Sequence, residues 1–411
     1  MSGWSADLPD RAGQPRAAAV VVAIPARDER DHVAGCLAAL ARQRDPAGRP
    51  LGDSGFEVIL LANNCADGTA AAARALADAL PYPLMVREVE LPPSGAHAGG
   101  ARKAVMDLAA GTLEARGRPD GLILTTDADS RVSSTWLNAN LEAIAAGADA
   151  VAGYIDPDPD DYLALGPIFG RRGRLEDRYI RLVAEIDALC DPRPHDPWPN
   201  HRVASGASLG VTLEAYRSIG GLPLLPLGED AAFIHALERG GFRVRHSMQA
   251  SVTTSCRFDS RARGGAGDTM RIRHADSDAP CDDDIEPARR TLRRAILKGR
   301  LRRLHAADGL AEVPNWAGRL RLGEGEAERL ATAHANHAFA VFWDALLAVS
   351  PTLTTQRPLR PSELPREIAS AQRIVHALRC SALRANSPAR PADRPAPAAE
   401  TEPATGLTSP R

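Results

Sequence analysis

The chain has 411 residues, of which 44% are hydrophobic and 25% charged, and this balance excludes a wholly disordered protein. Its formal net charge of −2 provides no overall positive field that would attract nucleic acid. The six cysteines include no CxxC pair, which favours reduced thiols over a disulfide framework or a zinc site. Without a secretory signal pattern or an apolar stretch of about 18 residues, we expect a cytoplasmic protein with no transmembrane segment.

Four alternations of an apolar strand and a helix open the chain, after residues 1–17, which we predict to be a flexible N-terminus. The strands are AAAVVVAIP (17–25), FEVILLANN (56–64), PLMVREVEL (83–91) and GLILTTDAD (121–129). Because these strands are apolar on both faces, they predict a mainly parallel sheet that is flanked by helices, a Rossmann-like α/β fold.

The middle of the chain adds a strand, a loop and a helix, and the end is helical. DAVAGYI (149–155) reads as a strand, and the segment DPDPDDYLALGP after it reads as a loop. The proline-rich segment DPRPHDPWPN (191–200) predicts an irregular loop. Beyond residue 265 we predict a helical C-terminal region over 266–385, followed by a disordered Pro/Ala-rich tail over 386–411. The helices expected there are Arg289–Leu304, Glu326–Val349 and Leu364–Leu383.

Polar residues cluster where the predicted strands end, the edge at which parallel sheets bind ligands. Asp127 and Asp129 follow the fourth strand two residues apart, and two carboxylates at this spacing suit Mg²⁺ or Mn²⁺ bridging a diphosphate. The alternative is a solvated turn that caps the next helix. Arg27 and Glu29 follow Pro25 at the end of the first strand, where they either contact a nucleotide or form an exposed ion pair.

Further candidates lie along the same edge. Asn63 could bind a base edge, whereas Asp67 could simply cap the next helix. Arg102 and Lys103 stand at a helix N-terminus, where cations oppose the helix dipole, so a nearby phosphate would explain them. For Lys103, a surface role is an equal alternative.

The segment after residue 240 carries cations that suit a diphosphate. Arg257, Arg261 and Arg263 precede two glycines, so we interpret this segment as a mobile loop that closes over a phosphate-bearing ligand. A solvated basic edge is the alternative. His246 could add a metal ligand, although a single histidine is more often structural.

Six stretches in order resemble the family 2 glycosyltransferases of the GT-A fold, over about residues 18–265. They are AIPARDER, LLANNCADGT, GGARKAV, the DAD sequence, ASGASLGVTLEAYRSIGGL and LGEDAAFIHALERGGFRV. The resemblance implies a GT-A-like domain over 18–265 and makes Asp230 the catalytic base that deprotonates an acceptor hydroxyl. Its alternative role, together with Glu229, is that of an acid at a helix N-terminus.

The predicted site therefore binds a nucleoside-diphosphate sugar and transfers one sugar with inversion. The donor-binding residues are Pro25, Arg27, Glu29, Asn63, Arg102, Asp127 and Arg257, and the Mg²⁺ or Mn²⁺ ligands are Asp127 and Asp129. Asp28 and the Ala62–Asn63 pair depart from the family pattern, and the loss of a carboxylate near the base weakens the usual assumption of uracil. UDP-sugar stays the first choice of donor, and GDP-sugar stays open. The chain has neither the membrane helices nor the Gln-x-x-Arg-Trp motif of processive synthases.

Two other functions stay as alternatives, a nucleotidyltransferase and a non-catalytic nucleotide-sugar-binding scaffold. AIPARDER has no glycine-rich phosphate loop, which disfavours the first, and the retained acidic residues disfavour the second. The acceptor is not identified, and a small metabolite, a lipid or a glycan are all compatible. The basic segment 289–304 could contact an anionic membrane surface, or could be a solvated helix balanced by CDDDIE before it.

Overall fold

An eight-stranded mixed sheet forms the centre of the protein. The structure is a computed structural model that describes residues 19–51, 55–258, 264–311, 316–354 and 357–386. The strands are β1 (Val20–Ala26), β2 (Glu57–Asn63), β3 (Leu84–Val89), β4 (Leu122–Thr125), β5 (Ser130–Val132), β6 (Ala150–Pro157), β7 (Leu209–Thr212) and β8 (Val244–Thr254). Their order in the sheet is β3-β2-β1-β4-β7-β6-β8-β5.

The first four sheet positions are parallel, as the sequence predicts. β1 pairs in parallel with β2 and β4, and β2 pairs in parallel with β3. β7 is antiparallel to both β4 and β6, and the short strand β5 is antiparallel to β8. The parallel register brings the ends of β1, β2 and β4 to one edge, which is where the polar clusters lie.

Helices cover both faces of the sheet and bury the alternating strand side chains. One face packs Val20, Val22 and Ile24 against α1 (Val33–Leu40), α2 (Thr69–Arg74) and α4 (Trp136–Ala145). The other face packs Val21 and Ala23 against α3 (Ala98–Ala115), α7 (Leu213–Ser218) and α8 (Glu229–Arg239). Strands apolar on both faces are stable only in such a three-layer arrangement.

The remaining helices lie in the middle and at the C-terminal end of the chain. They are α5 (Pro159–Ala164), α6 (Gly166–Cys190), α9 (Ala266–Ala275), α10 (Ala288–Ala306), α11 (Ala317–Leu320), α12 (Glu324–His334), α13 (Phe339–Val349) and α14 (Leu364–Asn386). One apolar cluster joins Tyr179 and Ile186 of α6 to Ala295 of α10 and Ile368 of α14. The helix α6 therefore ties the C-terminal helices to the first half of the chain.

Two elements differ from the sequence prediction. The expected loop after β6 contains α5, because the carboxylate of Asp158 caps the backbone N–H groups of Asp160 and Asp161 and Pro159 occupies the first helical turn. The single helix expected over 326–349 is broken between α12 and α13, where Ala338 has an extended backbone. This break lets Phe342 pack edge-on against Trp316.

Other expectations agree with the structure or fall outside it. Residues 191–208 contain no helix or strand, and all six cysteines are free thiols. No helix in the described ranges is both long enough and apolar enough to cross a bilayer. The predicted flexible N-terminus 1–17 and nearly all of the predicted tail 386–411 lie outside the described residues.

Candidate functional site

A cavity of about 410 Å³ opens at the carboxyl ends of β1, β2 and β4; we call it the edge cavity. Its size falls within the range of small-molecule sites. It brings together the predicted residues Pro25, Arg27, Glu29, Asn63, Arg102, Asp127, Asp129 and Arg257. Segments far apart in sequence thus meet at the edge that the strand pattern indicates.

Arg102 makes several polar contacts in the edge cavity. It is 5% exposed, and its guanidinium donates to Asp127 Oδ1 at 2.8 Å, to Glu229 Oε1 at 3.3 Å and to the Gly206 carbonyl at 2.8 Å. Burial alone would lower the pKa of Arg102, but the charges of Asp127 and Glu229 raise it overall. Arg102 is therefore a fixed cation between two carboxylates.

Glycines make the position of Arg102 possible. A Cβ added at Gly206 would lie 2.1 Å from Arg102 Cζ, and one added at Gly99 would lie 2.0 Å from the Leu225 carbonyl oxygen. His97 caps the helix that carries Arg102, since its Nδ1 accepts from the Gly100 N–H. Gly99 at the start of α3 is thus a packing requirement that brings the helix close to the loop before α8.

Arg257 provides the second cation of the edge cavity. Its Nη2 donates to Asp129 Oδ2 at 2.6 Å and to both carboxylate oxygens of Glu29 at 3.1 Å. Burial, followed by the negative charge of Asp127, raises the pKa of Asp129 despite this contact. The two aspartates therefore repel each other in a partly dehydrated pocket.

This donor set fits a divalent cation. Asp127 Oδ1 and Asp129 Oδ2 are occupied by arginines, while the second oxygen of each carboxylate accepts no hydrogen bond from the described residues. Carboxylate oxygens are the ligands that Mg²⁺ and Mn²⁺ prefer, and a cation would relieve the repulsion that disfavours ionisation of Asp129.

Of the other residues predicted at this edge, Arg27 and Asn63 line the edge cavity, whereas Asp67 and Lys103 do not. Arg27 lies at the cavity rim and donates to the Ala96 carbonyl at 3.0 Å, whereas Asn63 is buried at the end of β2 and lines the cavity. Asp67 accepts from the backbone N–H groups of Thr69 and Arg30, so it fixes the turn before α2. Lys103 pairs with Asp107 at 3.1 Å along α3 and does not line the edge cavity.

Asp28, Cys65 and Asp67 also form a group with metal-like spacing. The Ala66 N–H donates to Asp28 Oδ1, and the Asp28 N–H donates to Cys65 Sγ. These contacts, like those of Asp67, hold the loops after β1 and β2 against each other. The group is explained by the loop structure alone.

The predicted base, Asp230, adjoins the edge cavity without lining it. Its Oδ2 accepts from the Gly206 N–H at 3.1 Å and its Oδ1 accepts from the Ala231 N–H at 2.7 Å. Ser205, next to Gly206, lines the edge cavity, and buried Glu229 contacts Arg102. The carboxylate of Asp230 is thus oriented by backbone donors beside the site.

A second cavity, of about 320 Å³, lies beyond this segment; we call it the inner cavity. It is lined by α6, α8, α10 and the irregular segment 191–204, and its polar lining includes Arg193, Asp196, His201, Arg202, Lys298 and His246. The structure places His246 here, with Nδ1 3.1 Å from Asp196 Oδ2, and not with Asp127 and Asp129. Arg261 and Arg263 lie outside the described residues.

The inner cavity was largely missed by sequence reasoning. The proline-rich segment 191–200 and His201 contribute to its lining, but the sequence of α10 gave no sign of contributing a lysine. The sequence feature that could have drawn attention to Lys298 is its rarity, because it is one of only two lysines in a chain with 50 basic residues.

Comparison with known proteins gives one family match and a large number of distant solved structures. Residues 21–179 match the family described as "Glycosyl transferase family 2", and no match was found among curated proteins. The crystal structure of S. aureus TarS 1–349 in complex with UDP is 15% identical, with a TM-score of 0.41, covering 88% of this chain and 91% of that one. Mannosyltransferase PcManGT from Pyrobaculum calidifontis, in complex with GDP-Man and Mn²⁺, is 18% identical, with a TM-score of 0.39, covering 92% and 90%.

Both TM-scores are below 0.5, too low to support any inference about this chain. The family match covers β1 to the middle of α6, and thus the parallel strands and the two aspartates of the edge cavity. Residues 21–179, less than half of the chain, therefore resemble glycosyl transferase family 2.

Proposed function

We propose that this protein transfers a single sugar from a nucleoside-diphosphate sugar to an acceptor hydroxyl with inversion at the anomeric carbon. UDP-sugar is the favoured donor and GDP-sugar the alternative. The observation that carries the proposal is Arg102, whose one guanidinium contacts Asp127 in the edge cavity and, on the other side, Glu229 and Gly206 next to Asp230. This arrangement joins a donor site to a catalytic base.

The edge cavity supplies the groups that a diphosphate requires. Arg257 is a planar cation that can bind a pair of phosphate oxygens, and Arg102, whose guanidinium donates to Asp127, Glu229 and Gly206, adds a fixed positive charge. Asn63 and Pro25 lie at the strand ends, where the nucleoside would bind, with Arg27 at the rim. Asp127 and Asp129 would hold Mg²⁺ or Mn²⁺, which when bound supplies positive charge against the charge of the leaving diphosphate.

Asp230 would accept the proton of the acceptor hydroxyl. Its carboxylate is held by two backbone N–H donors, so it is oriented before substrate binds. As the hydroxyl oxygen bonds to the anomeric carbon, the bond from that carbon to the diphosphate breaks on the opposite face. Attack from the far side inverts the configuration.

The remaining parts of the proposal concern organisation and location. The glycosyltransferase domain would span residues 18–265 and the helical region 266–385. Six free cysteines support a reducing compartment, the cytoplasm. A peripheral contact of residues 289–304 with an anionic membrane is compatible with the exposed arginines of α10.

A thermal-shift panel tests the donor site, because a ligand that binds only the folded state raises the melting temperature. UDP-, GDP- and dTDP-sugars are compared with and without Mn²⁺ on the wild type, on Asp129→Ala and on Asp31→Ala, a control that removes an exposed carboxylate outside the cavity. We expect a Mn²⁺-dependent shift with one base, retained in Asp31→Ala and lost in Asp129→Ala. The absence of any nucleotide-dependent shift would overturn the proposed donor site and favour a different ligand.

A further inference from the structure

The inner cavity is lined by four acidic side chains, and each of them has a cationic partner. Asp187 pairs with Arg202 at 3.3 Å, Asp191 pairs with Arg302 at 2.9 Å, and Glu238 lies 3.5 Å from Arg193. The fourth, Asp196, is fully enclosed and contacts Arg193, Arg245 and His246. The acidic charges of the cavity are therefore already balanced within the protein.

Lys298 is a cation of the inner cavity that takes part in none of these ion pairs. Lys298 lines the inner cavity, and no carboxylate of the described residues lies within 4.0 Å of its ammonium. Its recorded contact is with the ring of Trp343, 5.7 Å from the ring centre. Burial lowers the pKa of Lys298, which is the expected direction for an ammonium without a close counter-ion.

The position of Lys298 is fixed by close helix packing. A Cβ at the next residue, Gly299, would lie 2.3 Å from the Cys190 carbonyl oxygen, so α10 runs directly against the end of α6. This packing fixes the backbone of Lys298 beside the inner cavity that it lines, whereas Arg289, Arg293 and Arg303 of the same helix are exposed.

The inner cavity lies next to the predicted base. Ala231, Ile234, His235 and Glu238 of α8 line it, and they follow Asp230 on the same helix. Ala204 lines the inner cavity while the adjacent Ser205 lines the edge cavity. A molecule in the inner cavity is thus separated from the edge cavity only by the segment that holds Asp230.

We propose that the inner cavity binds an acceptor that carries one anionic group, a carboxylate or a phosphate monoester, with Lys298 as its counter-ion. This inference rests on the proposed function, because it assigns the acceptor side of the same reaction. The neighbouring carboxylates and His235 would then form hydrogen bonds with hydroxyl groups of the ligand. The ligand is therefore a hydroxylated acid or a sugar-sized phosphate. A volume of about 320 Å³ suits a molecule of that size.

Selective labelling of the two lysines tests the proposal on the wild-type protein. N-hydroxysuccinimidyl acetate is added with saturating UDP, and acetylation of Lys298 and Lys103 is followed by peptide mass spectrometry. Gluconate or glycerol 3-phosphate should slow the acetylation of Lys298 at least about fivefold, whereas neutral glycerol should not. Lys103, paired with Asp107 on α3, is the internal control and should react at an unchanged rate.

Titration calorimetry with matched variants gives the second test. Lys298→Met should weaken binding of the anion that slows Lys298 acetylation, gluconate or glycerol 3-phosphate, about tenfold or more. This is the effect expected for loss of a charge-assisted contact. Arg303→Met, which removes an exposed cation of the same helix, should leave it unchanged. The proposal is overturned if neither anion protects Lys298, or if Lys298→Met binds it as tightly as the wild type.

These outcomes are separable from failure of the proposed function. UDP binding is measured on the same samples, and absence of UDP binding contradicts the donor site whatever happens at Lys298. UDP binding with no anion effect at Lys298 contradicts only the anionic acceptor. Protection by gluconate alone or by glycerol 3-phosphate alone supports the proposal and identifies the group as carboxylate or phosphate.

Discussion

At the scale of single residues, Gly206 determines where the Arg102 guanidinium can lie. In Gly206→Ala the new Cβ would stand 2.1 Å from Arg102 Cζ, and the guanidinium cannot move without losing Asp127 or Glu229. We expect nucleotide affinity, measured by calorimetry, to fall at least about tenfold, since charge-assisted hydrogen bonds would be lost. Unchanged affinity would show that Arg102 does not organise the donor site.

The matched control is Gly111→Ala, a glycine of the same helix α3 with no atom within 4 Å of an added Cβ. Alanine is favoured over glycine in a helix interior by up to about 1 kcal/mol. This variant should therefore be as stable as the wild type or slightly more stable, and should bind the nucleotide normally.

Asp230 gives a residue-scale prediction that separates binding from chemistry. Asp230→Asn retains an oxygen that can accept from the Gly206 N–H, but it cannot take up a proton at neutral pH. We expect the donor-induced thermal shift to persist while turnover, followed as release of the nucleoside diphosphate, falls at least about a hundredfold. A variant that keeps wild-type turnover would remove Asp230 from the role of base.

At the scale of elements, the contact between α10 and α6 is the joint between the helical region and the sheet. Gly299→Ala would place a Cβ 2.3 Å from the Cys190 carbonyl oxygen, so one helix must shift. Overpacking of this kind costs about 1–3 kcal/mol, which urea unfolding would measure. Gly325→Ala in α12, where the nearest atom is an arginine tip 3.8 Å away, should change stability little.

The elements also show what sequence could and could not predict. The apolar strands and the polar residues at their ends were predictable, because strand direction alone brings Pro25, Asn63 and Asp127 to one edge. Asp158 and Pro159, a capping residue followed by a first-turn proline, are the sequence signal for the start of α5, so the prediction of a loop there is wrong for a reason that is visible in the sequence. The break between α12 and α13 allows Phe342 to pack against Trp316, a contact between separate segments that a local pattern does not show.

The ion pairs of the site could not be predicted from the sequence, because they join distant segments. Arg102 meets Glu229 across 127 residues and Arg257 meets Glu29 across 228 residues, so neither pairing is visible from spacing. The inner cavity is assembled from α6, α8, α10 and an irregular segment, and each contributes polar residues that look solvated in isolation. Sequence therefore predicted the components of the edge cavity better than their connections.

At the scale of the whole molecule, the helical region is part of the candidate site. Residues Ala295 and Lys298 of α10 line the inner cavity beside residues of α8, a helix of the sheet domain. Apolar clusters bind α10 to α6 and to α14 as well. Folding of the C-terminal helices and formation of the inner cavity are thus coupled.

Burial of His201 beside the inner cavity makes global stability sensitive to acid. The ring is 4% exposed, and burial, followed by the charge of His246, lowers its pKa from 6.5 to about 4. Between these values the unfolded chain binds a proton that the folded protein does not, so stability is full above about pH 6.5 and falls as the pH is lowered towards 4. Between pH 7 and 4.5 the loss from this group is roughly 2–3 kcal/mol.

The variant His201→Asn removes this titration while keeping an acceptor for the Val203 N–H. Its unfolding free energy, measured in urea, should therefore fall by roughly 2–3 kcal/mol less than that of the wild type over the same pH interval. His376→Asn, at an exposed position of α14, should keep the wild-type pH dependence. The interval stops at pH 4.5 because the pKa of Asp196 is lowered, so its stabilising charge is lost mainly in stronger acid. If His201→Asn keeps the full wild-type slope, the acid sensitivity lies elsewhere and the ring is not held neutral against the sheet.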